Sequence, residues 1–297
     1  MVAPDLPGFG ATPPVSDGLA PTTMDDFAVE IIALADALGF ERFAIAGLSM
    51  GGYVALAVRR RIPARVVGLA LIDTRAENDG PDARRGRQVD AERVMSAGVT
   101  HLVDRMLPLL LSPETKSHKK GVVMEVEAMM RRASPAGVSA ALRGMAVRPD
   151  ARPDLPHIDA PTMVIVGADD AISPPPTAHL MAAQIPRSEM AIIPHAGHLA
   201  PLERPEGVNA ALRKLLRRAS RAPQAMTVMP GAASRRRSSV TANRGGGYAS
   251  LRPPLGEASG VPPGDASLVG ATARARSDFS LEEPTIAAPP KTPKGRR

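Results

Sequence analysis

Four short apolar runs alternate with stretches of helical spacing, and this alternation constrains the fold more than any other feature of the chain. The runs are Phe43–Ala46, Val66–Ile72, Thr162–Val166 and Met190–Ile193. Each is too short for a helix and is built mostly of aliphatic residues, as strands buried on both faces are. Between them apolar residues return at helical steps. Phe27, Ile31, Leu34 and Leu38 do so in Thr23–Leu38, which Gly39 stops. Gly52–Arg61, Thr177–Gln184 and Leu202–Arg218 follow the same spacing, the first of them ending before Pro63. Strands alternating with helices predict an α/β domain, a mostly parallel sheet with flanking helices.

One stretch interrupts the pattern. From Thr74 to Pro149 the spacing is helical over Val99–Leu111, Val122–Met130 and Ala136–Met145, with no strand-like run. Residues 75–149 therefore read as a helical cap inserted into the α/β domain.

Composition sets the limits. Aromatic residues make up 2% of the chain and Trp is absent, so the core is expected to be aliphatic and Met-rich. Cysteine is absent too, which excludes disulfides, thiolate nucleophiles and Cys-ligated metals. The net charge of +7 suggests a nucleic-acid partner until it is located. Residues 1–218 carry 25 basic and 25 acidic side chains, whereas residues 219–297 carry 12 and 5. The globular part has no electrostatic footprint for a phosphate backbone. The remaining segment, 219–297, is rich in Pro, Gly, Ser and Arg and lacks apolar periodicity, so it is expected to be a disordered tail. Arg235, Arg236 and Arg237 within it read as solvated linker charge. The first residues lack the charge and apolar run of a signal peptide, and no run is long enough to span a membrane. A soluble cytoplasmic protein is the expectation.

The chemistry is concentrated in three places. Gly47-Leu48-Ser49-Met50-Gly51-Gly52 follows an apolar run and opens a helical stretch. A nucleophile elbow needs that strand–turn–helix order. Gly47, Gly51 and Gly52 keep the tight turn free of side chains, Ser49 is lifted above the sheet edge, and the Met50 N–H faces a developing oxyanion. A serine nucleophile needs a base. Of the histidines at 101, 118, 157, 179, 195 and 198, His198 stands in a loop after the last apolar run, preceded by Gly197, with His195 its local competitor. The base needs a carboxylate. Asp169 and Asp170 follow one strand and Asp73 follows another, and the order Ser, Asp, His fits all three.

These phrases resemble a known family. Asp5-Leu6-Pro7-Gly8-Phe9-Gly10 looks like the loop after the fourth strand of α/β-hydrolases, and GLSMGG like the elbow after the fifth. GADDAISP is similar to the acid loop after the seventh strand, written Gly-x-x-Asp-x-x-x-Pro, and HAGHLAPLERPE to the histidine loop and final helix. The resemblance covers about residues 1–218 and implies an α/β-hydrolase fold with Ser49, Asp170 and His198 as the triad. Within that fold, LIDTRAENDGP, the helical insert and LRGMAVRPD look most like the 3-oxoadipate enol-lactonase group and related small serine esterases. The resemblance further implies that the family's first three strands, and the His-Gly oxyanion loop after the third, have no counterpart here. An N-terminally truncated fold is the expectation.

The function expected is hydrolysis of a small carboxylic ester or lactone through an acyl-enzyme, with no metal or organic cofactor and no nucleic-acid or membrane partner. Two alternatives stand beside it: a catalytically impaired remnant, on the strength of the missing strands, and an interaction protein acting through its basic tail.

Overall fold

The computed structural model describes residues 1–221. The segment 222–297, with nearly all of the tail expected to be disordered, lies outside the described residues. The sheet has four strands, β1 (Phe43–Leu48), β2 (Val66–Ile72), β3 (Thr162–Gly167) and β4 (Ser188–Ile193). They pair in chain order and all in parallel. β1 and β4 outrun the apolar stretches that announce them. Gly47 and Leu48 pair with Leu71 and Ile72, and Ser188 pairs with Thr162, so the ladder recruits residues beyond the apolar runs. Among the described residues no strand precedes Phe43.

Side-chain alternation along the central strands builds two cores. Leu69 and Leu71 of β2 point with Val164 and Val166 of β3 toward α2 (Met50–Arg61) and α8 (Pro175–Gln184). Ala70 and Ile72 point with Met163 and Ile165 to the opposite face, against α10 (Pro205–Arg221). β3 is buried along its whole length, and β2 nearly so. β1 lies at one edge, with Phe43 and Ile45 packed on α1 (Met24–Ala37) and α2 while Ala44 and Ala46 are exposed. α1 begins on a capping box: the Asp26 N–H donates to the Thr23 hydroxyl and the Thr23 N–H donates to the Asp26 carboxylate.

The insertion is helical, as its spacing predicts. It holds α3 (Pro81–Ala97), α4 (Thr100–Leu110), α5 (Pro113–His118), α6 (Lys120–Arg131) and α7 (Pro135–Ala146). α3 has no counterpart in the sequence reading. Only Asp90, Ala91 and Val94 of it are buried, so its polar surface hides the apolar period. At the base of the cap Arg148 and Arg87 both bond the Asp79 carboxylate, at 2.9 and 2.5 Å. Burial alone would raise the Asp79 pKa, but these hydrogen bonds and charges hold it below the ordinary value. The N-terminal DLPGFG loop packs on α7 through facing glycines: a Cβ on Gly137 would sit 2.0 Å from the Gly8 carbonyl oxygen.

Two boundaries differ from the sequence reading. The last helix is broken, with α9 (Ala200–Glu203) ending before Pro205 starts α10. α10 then runs through Arg221, past the expected domain end at residue 218. Its last turns are anchored by tertiary bonds, Arg218 donating to the Thr162 and Arg187 carbonyls, and composition does not register these. No helix among the described residues is long and apolar enough to cross a membrane.

Leu71 has no exposed surface and sits in the middle of the first core. Leu71→Ala is expected to lower unfolding free energy by about 2–5 kcal/mol, read from urea denaturation, because the parallel strands cannot collapse into the cavity.

Candidate active site

All three candidate groups come from the carboxyl ends of parallel strands, where loops converge above the sheet. β1 ends at Leu48 and α2 starts at Met50, so the whole turn is one residue, Ser49, at φ 52°. A non-glycine residue there carries about 1–3 kcal/mol of strain and persists only where its surroundings enforce it. Here the Ser49 N–H donates to the Ile72 carbonyl, while the Ser49 carbonyl accepts from the Thr74 hydroxyl and the Gly52 N–H. The flanking glycines divide into two kinds. A Cβ on Gly47 would lie 2.0 Å from the Gly51 carbonyl oxygen, and one on Gly52 would lie 2.5 Å from the Thr74 hydroxyl. Gly51 faces open space, so close packing does not explain it. The Met50 N–H belongs to the first turn of α2, where helix donors have no intrahelical acceptor.

The structure brings Ser49, His198 and Asp170 together. His198 Nε2 is 2.8 Å from Ser49 Oγ. His198 Nδ1 is 3.0 Å from both Asp170 oxygens and 3.3 Å from the Ser173 hydroxyl. His198 and Asp170 are buried, and Ser49 is half-buried. Burial pushes the Asp170 carboxyl up, but the hydrogen bond and charge of His198, with the Ser173 and Ile172 N–H donors, outweigh it and hold the group below the usual carboxylate range. A carboxylate ionised in this way keeps a proton on Nδ1 and leaves Nε2 free to accept one from serine.

The competitors go elsewhere. His195 is exposed, at φ 57°, and its Nδ1 is 2.9 Å from Glu114 of α5. Asp169 is exposed. Asp73 is fully buried at φ 46°, beside the site but turned away from the imidazole. Its two oxygens accept the Gly167 N–H at 2.7 Å and the Ala200 N–H at 3.2 Å, so it ties the acid-bearing strand to the loop after His198.

Three further residues shape the site without an obvious sequence signal. Ser173 donates to the Asp73 carbonyl and lies against His198. Thr74 closes the elbow. Glu203 is fully buried and accepts the N–H groups of Gly197 and Ser112. All three sit within or beside the quoted motifs, and their burial is the only property that sets them apart. Among the described residues no group of three or more His, Asp and Glu side chains is placed to hold a metal ion.

Residues 1–211 match the family described as "Alpha/beta hydrolase family". A thermophilic esterase from Thermogutta terrifontis, solved with malate bound, superposes with a TM-score of 0.70 at 42% identity, covering 72% of this chain and 78% of that one. The 3-oxoadipate enol-lactonase 2 of Acinetobacter baylyi is 24% identical over 218 residues, 73% of this chain and 79% of the relative. The dihydrolipoyllysine-residue acetyltransferase component of the acetoin cleaving system of Pseudomonas putida is 30% identical over 224 residues, 73% of this chain. The chain spans only 56% of that relative's length.

Asp73 supplies a test of the local electrostatics. Burial, offset in part by the Gly167 N–H and reinforced by the Asp170 charge, pushes its pKa from 3.8 up to about 8. A group whose pKa is higher folded than unfolded contributes stability that is complete below the unfolded value and is lost as pH rises through the folded one. Wild-type stability is therefore expected to fall between about pH 4 and pH 8. Asp73→Asn should flatten that slope, with urea denaturation at several pH values as the measurement.

Proposed function

The chain belongs to the alpha/beta hydrolase family, and from that premise we propose that it is a serine hydrolase of small carboxylic esters or lactones. The observation that carries the proposal is the continuous chain from Ser49 Oγ to His198 at 2.8 Å and from His198 to Asp170 at 3.0 Å. In this mechanism Ser49 Oγ attacks the carbonyl carbon and His198 Nε2 takes the hydroxyl proton. Asp170 holds the ring by its Nδ1–H and stabilises the imidazolium. Negative charge gathers on the carbonyl oxygen, to which the Met50 N–H donates. The imidazolium then protonates the leaving alkoxide, and the C–O bond breaks to leave an acyl-Ser49. Water, deprotonated by the same imidazole, cleaves the acyl-enzyme and restores Ser49. None of these steps needs a metal or organic cofactor.

The esterase and enol-lactonase named above support esters and lactones as the substrate class. The cap over residues 75–149, with its Leu and Met side chains, is the part of the chain that would select the acyl group. One observation favours a second outcome. β1 carries Ser49 yet is an edge strand with exposed Ala44 and Ala46, so the nucleophile is braced by sheet on one side only. A chain of this kind would keep a reactive serine but turn over slowly.

A fluorophosphonate probe followed by mass spectrometry of the adduct tests both. The expected result is a label on Ser49 that denaturation abolishes, with turnover of p-nitrophenyl acetate. Ser49→Ala should lower turnover by about 10⁴-fold or more, and His195→Ala should leave it within about twofold. Equal turnover in the two variants sinks the assignment. A label without turnover selects the second outcome.

A further inference from the structure

Glu203 is a fully buried carboxylate to which the hydrolytic sequence gives no task. It lies in α9, on the chain segment that follows His198. Its Oε1 accepts the Gly197 N–H at 2.7 Å, and its Oε2 accepts the Ser112 N–H at 2.7 Å. Gly197 immediately precedes the base. Ser112 is the N-cap of α5, at the corner where the cap turns from α4 into α5. One side chain thus joins two backbones that lie 91 and 6 positions from it along the chain.

The loop that carries His198 has no slack on either side. A Cβ on Gly197 would meet the Ser112 nitrogen at 2.7 Å, and a Cβ on Gly167, at the end of β3, would meet the Gly197 carbonyl oxygen at 2.0 Å. The base-bearing loop is held between the acid-bearing strand and the cap corner. Two more bonds follow the same seam: the His198 N–H donates to the Leu110 carbonyl at 3.0 Å, and the Ser112 hydroxyl donates to the His195 carbonyl at 3.1 Å.

A carboxylate is an expensive way to satisfy two amides. Burying a charge costs far more than burying a neutral acceptor, and only short charge-assisted bonds offset it. A glutamine could present one oxygen to one donor, but its NH₂ group would then oppose the other N–H. Two convergent donors require an acceptor at both ends of the group, and a carboxylate supplies that.

We propose that Glu203 is a positioning residue that sets the place of His198 over Ser49 by clamping Gly197 to the cap corner at Ser112. The inference rests on Ser49 and His198 being the nucleophile and base of an ester hydrolase. Glu203 touches neither substrate nor the reacting atoms. Its loss displaces the imidazole, so proton transfer slows while the substrate-contacting surface is unchanged.

The test uses the full chain with p-nitrophenyl acetate as the probe substrate and a fluorophosphonate as the probe inactivator. Glu203→Gln is expected to melt cooperatively and to lower kcat by about 10- to 100-fold, the range that a small misplacement of a catalytic group produces. KM should stay within about twofold, and the second-order rate of fluorophosphonate inactivation should fall by the same factor as kcat. A folded Gln variant with wild-type kcat and inactivation rate overturns the proposal, as does one that changes KM alone. If the Gln variant does not fold, Glu203→Asp replaces it: the charge is kept, but the shorter arm reaches one donor only, and the same kcat-selective loss is expected. Failure of both variants to fold overturns the proposal, since Glu203 would then be holding the fold and not the base. An active wild type with an unaffected variant removes this inference alone. A wild type without Ser49-dependent turnover removes the hydrolase assignment together with it.

Discussion

Parallel pairing of β2 with β3 sets the geometry on which the catalytic end depends. Leu69–Ile72 lie alongside Thr162–Ile165, with the whole cap inserted between them in the chain. At the end of that ladder the Asp73 carboxylate accepts the Gly167 N–H, 94 positions away. β3 runs two residues past the last residue of β2, and Asp73 bridges that step. Their loops, and the elbow that hydrogen-bonds to Ile72, open onto the same edge. Without this register Ser49 after β1 and Asp170 after β3 would belong to different surfaces. The alternating faces of β2 and β3 protect the register, because a slip of one residue would exchange Leu71 for Ile72 between two cores of different shape.

The second constraint is how charge is held near the site. Asp73, Asp170 and Glu203 are all buried. Each accepts backbone N–H groups: Gly167 and Ala200 on Asp73, Ile172 and Ser173 on Asp170, Gly197 and Ser112 on Glu203. Amide donors are fixed by the fold and cannot swing away as a lysine or arginine can, so each carboxylate also fixes the loop that feeds it. The three differ in what else faces them. Asp170 has an imidazole and is held ionised, whereas burial, reinforced by the Asp170 charge, pushes Asp73 toward its neutral form. Neighbouring carboxyls are thus driven in opposite directions by what surrounds them.

The cap shares a seam with the His198 loop. His198 N–H to the Leu110 carbonyl, Ser112 hydroxyl to the His195 carbonyl, and the His195–Glu114 and Arg204–Glu114 pairs join α4 and α5 to the histidine loop. A cap attached only through its two chain connections would be free to move over the serine. Here its corner is bonded to the loop that carries His198, so the helical insertion and that loop are held in one frame.

Much of this was legible in the residue order, and for a physical reason. Strand and helix periods are local, so Val66–Ile72 and Thr162–Val166 announce a buried sheet without knowing their partners. The elbow is local as well: Gly47 and Gly52 are dictated by a turn that lies within a few residues of Ser49. The membership of the chain in its family is carried by such local phrases. What residue order left open was direction. Asp73, Asp169 and Asp170 all follow strands, and His195 and His198 share one loop, so spacing alone admits several triads. Tertiary structure brings one set together, because where a side chain points after a strand depends on the backbone angles of the turn and on the distant amides that hold it. Asp73 and His195 stand at positive φ and turn toward Gly167 and Glu114, while His198 turns to Ser49. The buried carboxylate of Glu203 was invisible for the same reason: it accepts the Ser112 N–H, 91 positions away, and no local pattern encodes such a partner.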